Sequence, residues 1–312
     1  MENRGKMKRF NSLSDYFKRV YGEKLIKLCV DGGFTCPNRD GKLGTGGCAF
    51  CSETGSGEYS GHIIEGVKLQ SESIAEQLES QKGLLSKKWQ THAYIAFFQN
   101  FTNTYKPLET LDVLYGEAMA CEGIKGLVIA TRPDCIEEGH IELFKRYNVL
   151  WVELGLQTIH DTKAIWMNRQ YEMATFLRAY ELLKANGIKV VIHLMAGLPG
   201  ETKSDFLESI KKISALKPFG VKIHMLNIIR GTELEKKYDK ERFYVLEESE
   251  YIEWVCEALA YLDRDIVIHR LTGDGAKESL IAPNWVLNKR SVLNGIDKRL
   301  AQLDVRQGDR VK

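Results

Sequence analysis

Short apolar segments alternate along this chain with longer amphipathic stretches. The apolar segments are nearly continuous, which is typical of strands buried on both faces of a parallel sheet. Six of them predict strands: Leu25–Val30, Ala93–Phe98, Leu127–Ala130, Leu150–Leu154, Lys189–Leu194 and Val221–Leu226. The stretches between them predict helices: Ser71–Lys87, Pro107–Cys121, Glu137–Arg146, Glu172–Asn186 and Lys203–Leu216. Strand and helix in alternation predict a parallel α/β sheet, either doubly wound or a partial barrel.

Polar or glycine-rich clusters follow each predicted strand, and the last part of the chain predicts one more helix and strand. The clusters are Cys36–Cys51, Gln99–Tyr105, Thr131–Asp134, Gly155–Thr158, Gly197–Glu201 and Arg230–Thr232. The later elements are a helix at Glu247–Leu262 and a seventh strand at Asp265–Leu271. Because ligands of α/β folds gather at the carboxyl ends of the strands, we expect the six clusters to meet around one site.

Three of the seven cysteines lie in one glycine-rich loop after the first strand. Eleven residues separate Cys36 from Cys48, and two separate Cys48 from Cys51. Three thiolates are one ligand short of a structural zinc site, whereas an iron–sulfur cluster bound by three leaves one iron open. The alternative is a zinc loop completed by a histidine such as His62.

Composition and charge limit the class of protein. The chain has 312 residues of globular composition, without an apolar run long enough to span a membrane. Its amino terminus lacks the apolar core of a signal peptide, so we expect a cytoplasmic protein that does not bind membranes. The net charge is +2, but residues 1–10 carry +3 and residues 284–312 carry +4, which leaves −5 for the rest. Basic ends are compatible with a polyanion such as RNA and equally with solvated tails.

Several separate motifs resemble one enzyme family. The Cys48–Cys51 sequence CAFC, with an aromatic residue before its last cysteine, resembles the radical S-adenosylmethionine (SAM) superfamily. GLPGE at Gly197–Glu201 and GLQT at Gly155–Thr158, followed by Asn168 and Arg169, resemble its coproporphyrinogen oxidase and Elongator branch. The blocks GGFTCPNRDGKLGTGGCAFC, TNTY, ATRPD and IAPNWVLNK are similar to the small bacterial Elongator-like group, the YhcC/YtqA type.

The resemblance implies a fold and a domain organisation. The expected fold is α/β, a partial parallel (β/α)6 barrel of radical SAM type over residues 24–244. Residues 1–23 would form an amino-terminal extension, and residues 245–312 a carboxyl-terminal extension that closes the barrel and contacts substrate.

The resemblance also implies a cofactor and its chemistry. Cys36, Cys48 and Cys51 would hold a [4Fe–4S] cluster whose fourth iron binds SAM. Reductive cleavage of SAM would give a 5′-deoxyadenosyl radical that abstracts hydrogen from the substrate. A low-potential electron donor such as flavodoxin or ferredoxin would supply the electron.

Residues in the other loops are candidates for contact with SAM. Arg169 would pair with a carboxylate, Gln157 would bond the ribose hydroxyls, and Phe50 would cover the adenine. The second-strand loop lacks the usual Gly-Gly-Glu, so the group that binds the SAM amino group is open among its polar residues. The complete set of candidates is Phe50, Gln99, Asn100, Asn103, Arg132, Glu153, Gln157, Arg169, Gly197 and Gly200.

The substrate is predicted less directly. Relatives in the Elongator branch act on the wobble uridine of tRNA, and the basic ends are compatible with RNA. The alternative for the tail is that it plugs an open edge of the barrel with its charges solvated. The expected substrate contacts are Trp285, Lys289, Arg290, Lys298 and Arg299, on a helix whose apolar face would dock on the barrel. A small-molecule substrate is the alternative within enzymes. A zinc-stabilised RNA-binding protein without catalysis is the alternative from another class.

Overall fold

The structure is a computed structural model that describes residues 8–53, 55, 63–64, 67–68, 73–86, 91–273 and 277–311. The strands are β1 (Ile26–Val30), β2 (Ile63–Ile64), β3 (Val67–Lys68), β4 (Tyr94–Phe98), β5 (Ile124–Thr131), β6 (Val149–Gln157), β7 (Val190–Ala196), β8 (Gly220–Met225), β9 (Ile228–Ile229), β10 (Val267–Arg270) and β11 (Leu280–Ala282). The α-helices are α1 (Leu13–Tyr21), α2 (Ile74–Ser86), α3 (Leu108–Ala120), α4 (Glu138–Arg146), α5 (Asp161–Trp166), α6 (Met173–Ala185), α7 (Lys203–Leu216), α8 (Glu233–Glu241), α9 (Glu248–Tyr261) and α10 (Lys289–Gln302). Two 3-10 turns cover Pro133–Cys135 and Asn284–Leu287.

Seven parallel strands form the central sheet, in the order β1-β4-β5-β6-β7-β8-β10. Every neighbouring pair in this sheet is parallel. The six predicted core strands are therefore confirmed in position and direction, and the fold is an α/β fold with one parallel sheet that forms a partial barrel. The seventh predicted strand joins the same sheet beside β8 as β10, so the sheet runs into the segment after residue 244.

Two apolar layers lie on the two faces of the sheet. The larger cluster lies between the sheet and the surrounding helices and includes Leu28 of β1, Leu111 of α3 and Phe206 of α7. The smaller cluster joins side chains of β4, β6 and β7 to Tyr16 and Phe17 of α1. Helix α1 thus packs on the inner face of the sheet, and its residues Tyr16 and Phe17 are the anchors that bury it.

The amino-terminal segment also pairs with the last strand of the sheet. Asn11 accepts a hydrogen bond at its carbonyl from the N–H of Ile268, at 2.7 Å, and Ser12 forms a parallel bridge to Ile268. Gln307, near the carboxyl end, donates its N–H to the carbonyl of Arg9 at 3.0 Å. The two ends of the described chain therefore meet beside β10 and satisfy part of its exposed edge.

The carboxyl-terminal helix α10 has the predicted apolar face, formed by Val292, Ile296 and Leu300, all buried. This face packs chiefly against α9, and α9 packs in turn against α7. The expectation that the face docks directly on the barrel is wrong, because the intervening helix α9 supplies the apolar partner. Trp285 lies before this helix, in the 3-10 turn.

Candidate metal and cofactor site

The cysteine loop follows β1 and is closed by its own backbone. The carbonyl of Cys36 accepts from the N–H groups of Arg39 and Asp40, at 2.8 and 3.2 Å, and the carbonyl of Asn38 accepts from Gly47 at 2.8 Å. Gly47 has φ 82°, and a Cβ added there would lie 2.8 Å from Nε of Arg39. Glycine is required at this position because other residues would be both strained and crowded.

The Cys48 and Cys51 thiols interact directly. A hydrogen bond from Cys51 lowers the pKa of Cys48 to about 7, although burial acts in the opposite direction. The positive charges of Arg132 and Arg169 and the amide of Asn38, whose Nδ2 is 3.7 Å from the sulfur, lower it further. The same thiol pairing raises the pKa of Cys51. The loop therefore favours a thiolate at Cys48, and thiolates are the ligands of iron–sulfur clusters.

The three thiols have the chemistry of a cluster site without a closed ligand shell. Cys36, Cys48 and Cys51 are free and partly buried, and negative charge at Cys36 reaches Cys51. Among the described residues, no three histidine, cysteine or carboxylate side chains already form a metal-binding group. The donor set fits a cluster held by three cysteines, provided that the loop closes as iron binds. His62, the candidate zinc ligand, lies outside the described residues.

Two asparagines connect the cysteine loop to the segment after α5. Asn38 donates through Nδ2 to the carbonyl of Asn168 at 2.6 Å, and Asn168 donates through Nδ2 to the carbonyl of Gly47 at 2.8 Å. The N–H of Ala49 donates to the carbonyl of Met167 at 2.8 Å. Asn168 has φ 56°, a left-handed conformation that asparagine tolerates better than most residues. Three hydrogen bonds from one short segment therefore fix the loop between Asn38 and Ala49.

Tyr171 lies between two of the predicted cofactor-binding arginines. The guanidinium groups of Arg132 and Arg169 lie 4.8 and 4.5 Å from the centre of its ring, and its hydroxyl donates to the carbonyl of Gly155 at 2.6 Å. Arg132 also makes a two-pronged ion pair with Asp134. Such cation–π contacts are stabilising by about 1 kcal/mol each. Sequence analysis missed Tyr171, since an aromatic residue two positions after an arginine carries no distinctive pattern.

Arg169 is almost completely buried and binds mainly the protein itself. Its guanidinium donates to the carbonyls of Tyr171, Leu156 and Thr158, at 2.9, 2.5 and 2.8 Å, and to the carboxylate of Asp161 at 3.2 Å. These bonds use four of its five N–H groups within the described part of the chain. The predicted pairing with a SAM carboxylate therefore rests on one remaining N–H and on the charge.

Gln157 ends β6 in a left-handed conformation, with φ 64°. Its Oε1 is buried and has no hydrogen-bond partner among the described residues. A Cβ added to Gly155 would lie 2.9 Å from Nε2 of Gln157, so the glycine makes room for this side chain. An unsatisfied buried amide oxygen normally costs stability, which makes Gln157 well suited to a ligand hydroxyl.

The loop after β4 supplies two polar side chains that already have partners. Gln99 accepts at Oε1 from the thiol of Cys29, at 3.1 Å. Asn100 is fully buried and donates through Nδ2 to the carboxylate of Asp31 at 3.1 Å. Both side chains tie this loop to the segment that leads into the cysteine loop.

Two further side chains of the same loop keep unsatisfied acceptors. Asn103 donates through Nδ2 to the carbonyl of Ala130 at 2.8 Å, while its Oδ1 has no partner among the described residues. Oγ1 of Thr102 is also buried without one. The loop therefore presents amide and hydroxyl oxygens, which are suitable acceptors for an ammonium group, in place of the usual glutamate.

The glycine motif after β7 is a turn closed by its own glutamate. Glu201 accepts through one carboxylate oxygen from the N–H groups of Gly197 and Leu198, at 2.9 and 3.2 Å, and burial raises its pKa to about 7. Gly197 has φ 81°, and a Cβ there would lie 2.8 Å from the side chain of Leu246. Gly200 has φ 67° and accepts at its carbonyl from Lys163 at 2.7 Å.

Phe50 is partly buried beside a compact apolar cluster at the carboxyl ends of the strands. The buried members come from the cysteine loop, the end of α5, β7, the glycine motif, the residue after β8, β9 and α8. They are Ala49, Met167, Met195, Leu198, Leu226, Ile228 and Leu234. Phe50 therefore contributes an aromatic surface at the edge of a water-excluding layer.

Glu153 is at the centre of a buried ionic network inside the barrel. One carboxylate oxygen accepts from Lys27 and from the indole of Trp151, at 3.2 and 3.1 Å, and the other accepts from Lys222 and from His193, the latter at 2.9 Å. Attraction to the lysines holds its pKa well below the usual range even though burial acts to raise it. Both oxygens are thus engaged by protein donors in the barrel interior, and contact of Glu153 with SAM stays a prediction.

Two of the predicted substrate residues of the tail bond to other parts of the chain, and three are exposed. Trp285 donates its indole N–H to the carbonyl of Leu246 at 2.9 Å, which anchors it to the chain before α9. Arg299 forms an ion pair with Glu253 of α9. Lys289, Arg290 and Lys298 are exposed.

A groove of about 1050 Å³ lies beside the cysteine loop, and sequence analysis did not predict it. Its lining includes Lys42 of the cysteine loop, Tyr105 of the second-strand loop, Asp134, Cys135 and Arg178 of α6. The groove therefore borders the site on the side of α3, α4 and α6, where a large substrate could approach.

Comparison with known proteins defines the family. The model of the Radical SAM superfamily matches residues 39–213, which is more than half of the chain, and the model of the Radical_SAM C-terminal domain matches residues 218–302. The protein belongs to the radical SAM superfamily. This family implies a [4Fe–4S] cluster and SAM. No helix among the described residues is long and apolar enough to cross a membrane.

Two relatives and one solved structure are similar to this chain. The protein YtqA of Bacillus subtilis is 36% identical over 304 residues, 96% of this chain and 92% of its own length. A tRNA uridine(34) acetyltransferase of Methanocaldococcus jannaschii is 32% identical over 151 residues, 47% of this chain and 28% of its own length. The solved structure of archaeal Elp3 from Methanocaldococcus infernus superposes with a TM-score of 0.69 at 20% identity, over 91% of this chain and 64% of that one. The resemblance to the Elongator-like group is thereby confirmed.

Proposed function

We propose that this protein is a radical SAM enzyme in which Cys36, Cys48 and Cys51 hold the [4Fe–4S] cluster. The observation that carries the proposal is the fixed cysteine loop, where Cys48 favours the thiolate beside Arg132 and Arg169. When bound, the cluster and SAM supply a 5′-deoxyadenosyl radical for hydrogen abstraction from the substrate.

The residues around the loop bind and orient the cofactor. Arg132 and Arg169 offset the negative charge of thiolates and of a carboxylate. Gln157 offers its free amide oxygen to a ribose hydroxyl. Asn103, with the hydroxyl of Thr102, takes the place of the glutamate that usually receives the SAM amino group, because Oδ1 of Asn103 and Oγ1 of Thr102 are buried and have no partner in the described part of the chain.

The substrate we favour is tRNA, with modification of the side chain of the wobble uridine. The match to a tRNA uridine(34) acetyltransferase across nearly half of the chain supports this choice. The exposed basic residues of the tail are suited to a polyanion. The groove beside the cysteine loop is lined by Lys42, Lys106 and Arg178 together with Asp134, Glu137 and Glu172, so its charge favours no polyanion by itself. A low-potential donor such as flavodoxin or ferredoxin supplies the electron.

Two measurements test the proposal at separate levels. Anaerobically purified protein should be brown and contain iron in proportion to protein, whereas a zinc-stabilised RNA-binding protein would be colourless. Total tRNA from cells that lack the protein should lose a modified nucleoside at the wobble position, and the purified enzyme should restore it. A brown protein that cleaves SAM but leaves every tRNA nucleoside unchanged would keep the chemistry and refute the substrate.

A small-molecule substrate is the second candidate. The ionic network inside the barrel favours it, because an RNA base carries no charge that would match a deep cluster of lysines.

A further inference from the structure

Among the described residues, the charged side chains that act on Glu153 inside the barrel are basic. Lys27 of β1 and Lys222 of β8 both donate to the single carboxylate of Glu153. Arg270 of β10 adds positive charge that lowers the pKa of Lys222 and of His193. These charged side chains lie on β1 and β10, at the two edges of the sheet, and on β6 and β8 between them, so they surround one space.

This space is accessible, although the carboxylate inside it is not. The side chain of Glu153 is 0% exposed, whereas the side chains of Lys27 and His193 are 20% and 23% exposed. Cys29 and His224, further along β1 and β8, are also partly exposed. Interior side chains of a filled barrel are packed by their neighbours, so partial exposure of several of them indicates an open chamber.

Two histidines, one on β8 and one on β10, have ring nitrogens without partners among the described residues. Nε2 of His224 is buried and unbonded among the described residues, as are both ring nitrogens of His269. The ring of His224 lies 5.2 Å from that of His193, which is itself bonded to Glu153. Burial holds the pKa of His224 well below its usual value, so it is a neutral donor or acceptor. Unsatisfied buried polar groups in a native fold call for a ligand or a bound water.

We propose that this chamber, lined by Lys27, Glu153, His193, Lys222 and His224, binds the carboxylate of a small-molecule substrate or co-substrate. The carboxylate would accept from Lys222 and from His224, on the same strand and two positions apart, so that both side chains point to one face of the sheet. This inference rests on the proposed function only in that the bound molecule would lie beneath the SAM site.

The lysines favour a monoanion, and a carboxylate can accept charge-assisted hydrogen bonds from ammonium groups. Lys27 and Lys222 share the single carboxylate of Glu153, so a bound monoanion would add a second counter-charge. A buried charge without a counter-charge is strongly destabilising, and that cost is removed when the missing anion binds.

The experiment uses the anaerobically purified full chain with ¹⁵N-labelled histidine side chains. It is titrated with sodium acetate and, in a parallel sample, with sodium chloride at equal ionic strength. We expect acetate to shift the side-chain resonances of His193 and His224, and chloride to leave them in place. Lys222→Met should weaken acetate binding by about tenfold or more, since a charge-assisted hydrogen bond is lost. Lys212→Met, an exposed lysine on α7, is the matched control and should bind acetate as the wild type does.

A second variant covers the case in which Lys222→Met does not fold. His224→Phe keeps both ammonium groups and should also abolish the acetate-dependent shift of His193. Equal shifts with acetate and chloride, or no shift of either histidine in the wild type, would overturn the proposal. A response to inorganic phosphate alone would overturn the assignment to a carboxylate. None of these readouts requires SAM cleavage, so failure here is distinct from failure of the proposed radical chemistry.

Discussion

Asn38 of the cysteine loop hydrogen-bonds to Asn168, which follows α5, although the two residues are 130 positions apart in the sequence. The Asn38 amide donates to the Asn168 carbonyl at 2.6 Å, and the Asn168 amide donates to the Gly47 carbonyl one residue before Cys48. The position of the ligand loop therefore depends on the segment that also carries Arg169. Loop and cofactor residues form one unit through these bonds.

The first prediction tests this unit with Asn168→Ala. The variant should incorporate less iron on reconstitution, because the loop loses its anchor at Gly47, and should be about 1 kcal/mol less stable. Iron content per chain and urea unfolding measure the two effects. Asn294→Ala, at an exposed position of α10, is the control and should change neither. Full iron content in Asn168→Ala would show that the loop is held by its own backbone alone.

The second prediction concerns the ligands. Cys36→Ala, Cys48→Ala and Cys51→Ala should each abolish iron binding, since a cluster cannot replace a missing thiolate. Cys121→Ala and Cys256→Ala are the matched controls, because the structure places both thiols away from the loop, among apolar residues. A full four-iron cluster in Cys36→Ala would show that the ligand assignment is wrong.

The sheet could be predicted from the sequence because every strand is buried on both faces. Near-continuous apolar runs identify such strands, and the seven predicted segments all became neighbours in one parallel sheet. Helices α5 and α8 were not predicted, since α5 has only 6 residues and α8 has few apolar positions. The docking of α10 was predicted incorrectly because an apolar face does not specify which apolar partner it meets.

The sequence predicts the cysteines of the candidate metal site, but it predicts only part of the contacts made by the residues around them. Cysteine spacing and glycine content identify the metal loop directly. The sequence does not show that Arg169 is used by backbone carbonyls, nor that Tyr171 separates two arginines, because these contacts depend on how loops cross. The charges of Lys27 and Lys222 within apolar strands were the available indication of the interior network.

The third prediction is that Arg169→Lys lowers stability as well as SAM affinity. Lysine retains the charge but cannot reach three carbonyls and Asp161 together. We expect a loss of about 2–4 kcal/mol in the free energy of unfolding, since buried carbonyls lose their donors. Chemical denaturation and calorimetry with SAM measure the two effects. Arg178→Lys on the exposed face of α6 should be neutral in the unfolding experiment. Unchanged stability in Arg169→Lys would show that water replaces the guanidinium at these carbonyls.

The fourth prediction concerns pH and Glu201. Burial raises the pKa of its carboxyl from 4.5 to about 7 in the folded protein. The folded state therefore binds more protons than the unfolded state between these values, so this group's stabilisation is complete below pH 4.5 and is lost as the pH rises towards 7. Glu201→Gln should remove this pH dependence. In the wild type the dependence changes the free energy of unfolding by at most about 3 kcal/mol between the two pKa values. The measurement is the free energy of unfolding of both proteins against pH. Parallel curves for the wild type and Glu201→Gln would contradict the raised pKa.

The last prediction concerns RNA and the tail. The variant that tests this helix replaces its three exposed basic residues, Lys289→Ala/Arg290→Ala/Lys298→Ala, and keeps Arg299, which forms an ion pair with Glu253. If tRNA crosses this helix, the variant should bind tRNA more weakly and with a shallower dependence on salt, because fewer phosphate contacts release fewer counterions. SAM cleavage without substrate should persist, since the cysteine loop is untouched.

The matched control removes three exposed lysines from the opposite end of the sheet. Lys125 begins β5, while Lys145 and Lys184 lie at the ends of α4 and α6, away from the carboxyl ends of the strands. The variant Lys125→Ala/Lys145→Ala/Lys184→Ala changes the net charge equally, so it should keep the wild-type salt slope if contact is local to the tail. An equally reduced salt slope in both variants would mean that tRNA binding depends on the net charge of the protein alone. An unchanged slope in the tail variant, with tight binding retained, would move the RNA contact from α10 to the groove beside Lys42 and Arg178.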